Sequence, residues 1–159
     1  MGYVLADIIR TSIYLCTAFI CAVTDLAWRR IFNNVLIFGT LSIFLLHIFS
    51  FPPADRESLF CMIFFLIILF LFFTKHLIGG GDLKLYAFTV FAMPGRTGLM
   101  ILFFSLVIAA AWCLFKLIGG SLAGRNITFI LKDGVPMAIF IFTAALIILI
   151  SERSRTWIG

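Results

Sequence analysis

Charge is scarce in this chain. Asp, Glu, Lys and Arg make up 12% of 159 residues, while 64% are hydrophobic and the mean hydropathy is +1.21. A soluble domain carries about 25% charged and about 45–50% apolar residues, so a water-soluble globule is excluded and the chain reads as an integral membrane protein. Cysteine is also sparse. Cys16, Cys21, Cys61 and Cys113 all fall in apolar runs and form no C-x-x-C pair, which removes structural zinc and thioredoxin-like redox chemistry. They read as small hydrophobes. With two histidines in the chain and no His/Cys cluster beside any carboxylate, no metal site and no cofactor are expected. Twelve Lys and Arg against seven Asp and Glu give a charge of +5. These cations lie singly or in pairs between apolar runs, as topology signals and lipid-headgroup contacts do, so no nucleic-acid partner is implied. The N-terminus mixes Asp7 with Arg10 and lacks a basic region followed by a small-residue cleavage site. The first apolar run is therefore expected to persist as a helix.

A helix needs about 20 residues to cross a roughly 30 Å hydrocarbon core, and the apolar runs predict six crossings in one domain spanning residues 1–159. The first runs from Tyr3 to Thr24, the second lies within Ile31 to Phe51, and the third covers Ser58 to Thr74, after a turn at Pro52-Pro53 and Asp55-Arg56-Glu57. The fourth is confined between Lys84 and Arg96, so it either recruits residues from Leu77 or stays short, and Pro94-Gly95 ends it. The fifth fits Thr97 to Phe115 and the sixth Gly134 to Ser151, with a surface loop from Lys116 to Asp133. The expected architecture is an all-α membrane protein, a polytopic bundle of six transmembrane helices. Placing the N-terminus outside puts seven Lys and Arg in the cytoplasm against five outside, a modest preference by the positive-inside rule.

Ionisable residues at membrane boundaries are functional-site hypotheses, and two carboxylates stand out. Asp25 closes the first span, and Asp82 opens the fourth behind Gly79-Gly80-Gly81. Two crossings lie between them, and an even number returns the chain to the same face whatever the absolute orientation. Two carboxyls brought close cannot both ionise cheaply, so they share a proton and titrate as a pair. The ionised member can then take a proton from water while the protonated one donates to a scissile carbonyl. Gly79, Gly80 and Gly81, lacking Cβ atoms, are expected to leave helical geometry and admit a substrate backbone beside Asp82. Lys84, two residues beyond Asp82 and about 200° around a helix, is expected to face away from it. His47, isolated in the second span, reads as a hydrogen-bonded or interfacial histidine.

These residues resemble the type 4 prepilin peptidases, members of the GxGD class of membrane aspartyl peptidases. The family pattern G-x-G-D-x-K is matched by Gly79-x-Gly81-Asp82-Leu83-Lys84, and the earlier aspartate with its basic tail by Asp25, Arg29-Arg30 and Ile31-Phe32-Asn33. Phe32 stands where the family has proline, and Met137-Ala138 stand where Tyr-Gly usually follows Val-Pro. The resemblance implies Asp25 and Asp82 as catalytic residues, supported by Gly79, Gly81, Lys84 and Asn33. It also implies prepilin or pilin-like substrates and a multi-pass enzyme in a bacterial inner membrane with its active site toward the cytoplasm. The cytoplasmic region with paired C-x-x-C motifs carried by the long methylating members has no counterpart, so the chain is similar to a short, peptidase-only form of the tight-adherence (Flp pilus) type without methyltransferase activity. Two other readings keep the same residues: a small proton- or cation-coupled transporter or channel subunit, and another GxGD intramembrane protease. The oligomeric state is not legible.

Overall fold

The computed structural model describes residues 2–50, 56–75, 79–122 and 137–158. Those residues hold six helices and no strand: α1 Gly2–Trp28, α2 Asn33–Ser50, α3 Arg56–Thr74, α4 Gly80–Ala92, α5 Gly95–Leu122 and α6 Met137–Ile158. Two stretches, Leu5–Trp28 and Gly95–Gly120, are long and apolar enough to cross a membrane among the described residues, while Asn33–Ile48 and Met137–Glu152 are apolar but shorter. Six transmembrane crossings are thus a stronger claim than helix length alone supports.

Several boundaries differ from expectation. Helix α1 continues past Thr24 to Trp28 and takes Asp25 into its last turns, because neither Gly nor Pro interrupts it there. Helix α5 runs through Lys116, Gly119 and Gly120 to Leu122, where a loop was expected. One lysine can snorkel from a helix end, and each glycine costs only about 1 kcal/mol in a helix interior. Arg56 and Glu57 belong to α3 rather than to the preceding turn, and α6 begins at Met137. The prolines at 52 and 53, the rest of the expected loop from 123 to 133, and residues 134–136 lie outside the described residues.

The fourth helix does stay short, at 13 residues. Pro94 ends it by forcing Met93 into extended geometry, φ −107° and ψ 153°, the restriction a proline places on its predecessor. Short as it is, α4 is the hub, packing against each of the other five described helices, and Leu85, Tyr86, Phe88, Thr89, Val90 and Ala92 are buried on it. Around it, α6 packs between α1 and α5, and α2 lies on α1.

Many large apolar side chains point outward, and small or polar ones share the interior with the core aromatics and aliphatics. Phe38, Phe60 and Phe115 are each over 70% exposed, whereas Ala18, Ala144, Ala145, Thr89 and Ser105 are fully buried. In water such a surface would drive association; in lipid it is the expected solvent face, and small residues let helices approach closely. The tightest approach is at Gly39 of α2, where a Cβ would lie 2.7 Å from both Cγ2 and Oγ1 of Thr17 on α1 and 3.1 Å from Phe88 on α4. The interior hydroxyls are partnered. Tyr14 donates to Thr89 Oγ1 at 3.4 Å, and Thr89 donates on to the Leu85 carbonyl at 2.9 Å. Ser105 donates to the Leu102 carbonyl at 2.7 Å, which leaves Tyr86 to donate to Ser105 Oγ across 3.3 Å. His47 Nδ1 lies 3.0 Å from the Ile43 carbonyl and its ring stacks on Phe91, the hydrogen-bonded histidine expected.

Candidate active site

Helix α1 ends with Arg29 in the left-handed region, φ 51°, a helix-terminating geometry more often given to glycine. Its N–H still bonds the Asp25 carbonyl at 2.9 Å. The turn places Asp25 just inside the end of α1 and starts α2 at Asn33. No proline is needed at position 32: the Phe32 carbonyl accepts from Val35 N–H at 3.2 Å, and the Phe32 ring packs on Trp28 with centroids 5.8 Å apart.

At the facing end of α4, Gly79 is the N-cap and offers no side chain to it. Asp82, three residues on, turns its carboxylate back toward Gly79. Two expectations need correction here. Gly80 and Gly81 are already helical, and Gly79, at φ −68° and ψ 148°, has a backbone any residue can adopt. The glycine requirement is one of space. A Cβ on Gly79 would sit 3.1 Å from Asp82 Oδ2, whereas one on Gly81 would meet only Ile31 at an ordinary 3.5 Å. Gly79→Ala should therefore lower activity by about tenfold through displacement of the Asp82 carboxylate, and Gly81→Ala should be the milder change. Assaying the two in parallel checks the ordering.

Asp25, Asp82, Gly79, Gly81, Lys84 and Asn33 all line one cavity of about 700 Å³, together with Leu26, Arg29, Arg30, Ile31 and Phe32. The two carboxylates lie within reach of each other's charge. Lys84 departs from expectation. Although its Cα is turned from that of Asp82, its flexible stem brings the ammonium to the cavity wall, where Nζ donates to Asn33 Oδ1 at 3.0 Å and ties α4 to α2. No pair forms between Asp25 and Arg29 within 4 Å; the ion pair among the described residues joins Arg10 to Asp7 at 2.7 Å. No group of three His, Cys, Asp or Glu able to hold a metal occurs among the described residues.

One contributor was not legible beforehand. The backbone N–H of Ala138, in the first turn of α6, donates to Asp25 Oδ2 at 3.2 Å. A backbone donor leaves no mark in a sequence beyond the helix start that exposes it.

The fold and cavity define a small helical membrane protein with a pair of acids in a cavity built from helix ends. Residues 12–114, more than half of the chain, match the model of the type IV leader peptidase family. The chain belongs to that family, a family of proteases with pilin-like substrates. No curated protein and no solved structure matches it.

Proposed function

We propose that the protein is an aspartic endopeptidase that removes the N-terminal leader of prepilin-like proteins at the cytoplasmic face of a bacterial inner membrane, with all six helices embedded in the bilayer. The observation that carries this reading is the shared cavity: Asp25 from α1 and Asp82 from α4 line one space, with Asp82 within reach of the Asp25 charge. A water between them gives up a proton to the ionised carboxylate as its oxygen bonds the scissile carbonyl carbon. The protonated partner donates to the carbonyl oxygen, and collapse of the tetrahedral intermediate, with a proton delivered to the leaving nitrogen, completes hydrolysis. Arg29, Arg30 and Lys84 at the wall set a positive local potential around this acid pair. Co-expression with candidate prepilins tests the reading, the expected result being a faster-migrating mature pilin that appears only with the enzyme.

Orientation is testable separately. On a background without native cysteines, single cysteines at Arg29 and Gly80 should both react with thiol reagents admitted to the cytoplasm. Labelling of the two from opposite sides would rule out a shared site.

A further inference from the structure

Among the features the proposed mechanism leaves unused, the contact between α6 and Asp25 reaches furthest. The first four N–H groups of any helix lack an intrahelical acceptor, and one that is buried unsatisfied costs about 1–3 kcal/mol. Ala138 is such a donor: its residue is fully buried, and its N–H finds Asp25 Oδ2 on a helix 113 positions away in sequence. The approach is possible because the surfaces are small. Helix α1 contributes Ala18, Cys21 and Ala22 to the core and α6 contributes Ala138, Ala144 and Ala145, and the two helices pack directly on each other. Asp82 faces the N-cap residue of its own helix, Gly79. Asp25 sits near the C-terminal end of α1, where the first turn of another helix holds one of its oxygens. Oδ1 takes no hydrogen bond from the described residues, and Asp25 lines the cavity. One oxygen is thus held by α6.

We propose, building on the peptidase reading above, that the first turn of α6 is a positioning element for the acid pair, and that the Ala138 N–H sets the working orientation of the Asp25 carboxylate. Ala138 is a positioning residue, acting through Asp25 and not on the substrate. The matched family region ends at residue 114, so this places a required part of the site beyond it.

Two measurements on the full-length protein test this. In detergent micelles with 15N-labelled alanine, Asp25→Ala should give Ala138 the largest amide shift among alanines not adjacent in chain or helical turn to position 25, and Asp82→Ala should leave it nearly unmoved. An Ala138 amide indifferent to Asp25→Ala overturns the contact. In cleavage assays, Ala138→Pro deletes the N–H at a first-turn position where proline is tolerated. It should lower kcat by about 10- to 100-fold, the range expected for a lost hydrogen bond to a charged group, with KM little changed. Ala138→Gly, which keeps the donor, should retain most of the activity. A raised KM at unchanged kcat, or wild-type turnover by Ala138→Pro, overturns the positioning role while leaving the peptidase reading intact. If Ala138→Pro does not accumulate, Ala138→Leu replaces it, since its bulk should push the α6 terminus off α1 and lower kcat in the same way; unchanged kcat there is equally fatal. Absence of prepilin cleavage by the wild type overturns the peptidase reading and the catalytic role of Ala138 with it, whatever the amide spectrum shows.

Discussion

Asp25→Asn and Asp82→Asn should each reduce leader cleavage by at least about a hundredfold, the lower bound for losing a positioned acid or base, while the protein continues to accumulate in the membrane. Asparagine keeps the size of aspartate, and at position 25 an oxygen that can accept from Ala138 N–H, so the contact between α1 and α6 survives. What is lost is the ability to take up or release a proton. Because the two carboxyls act as a unit, the double variant should be scarcely worse than either single one, the non-additivity seen when one machine is broken twice. If Asp82 served only as a helix-capping acid, its replacement would cost about 1 kcal/mol or less of stability and leave turnover untouched. Substantial cleavage by either single variant would remove the aspartyl mechanism.

The largest effect on stability is expected at Gly39, far from any proton transfer. A Cβ there would stand 2.7 Å from two atoms of Thr17, and Thr17 cannot swing aside freely because its hydroxyl donates to the Ile13 carbonyl at 2.8 Å. Helices α1 and α2 must therefore separate, and Phe88 of the central helix must move with them. Gly39→Ala should destabilise by about 1–3 kcal/mol, the usual range for overpacking, and Gly39→Leu by more. Thr17→Ala removes both offending atoms. The pair Thr17→Ala with Gly39→Ala should recover much of the loss, a coupling that thermal denaturation in detergent reads through a double-mutant cycle. Simple additivity would show that the helices do not meet at this point.

How much of this was legible beforehand follows from what each feature depends on. Asp25 and Asp82 are drawn to one cavity by topology, and topology was readable because an even number of apolar runs separates them. The end of α4 was readable because proline restricts its predecessor whatever surrounds it. The extension of α5 through Lys116 and two glycines was not readable, since a charge and a weak helix former mark a boundary only when tertiary packing does not carry the helix on. Reading the glycines as a source of backbone freedom missed the constraint at Gly79, which is one of space: a Cβ there would stand 3.1 Å from Asp82 Oδ2. Lys84 was misplaced for a related reason, since helical angle locates a Cα and four methylenes can undo it. The Ala138 donor belongs to the backbone and was invisible to any argument from residue type.

The shortness of α4 bears on how a hydrolase in oil obtains its second reactant. Thirteen residues rise about 20 Å, roughly 10 Å less than the hydrocarbon thickness, and Asp82 lies in the first turn. The space above it is the cavity of about 700 Å³, which at about 30 Å³ per molecule of liquid has room for on the order of 20 waters. The enzyme therefore need not carry water down to a deep site molecule by molecule. On the proposed reading, a central helix that stops early leaves room for water at the level of Asp25 and Asp82, so that a leader would meet solvent and acid at the same depth.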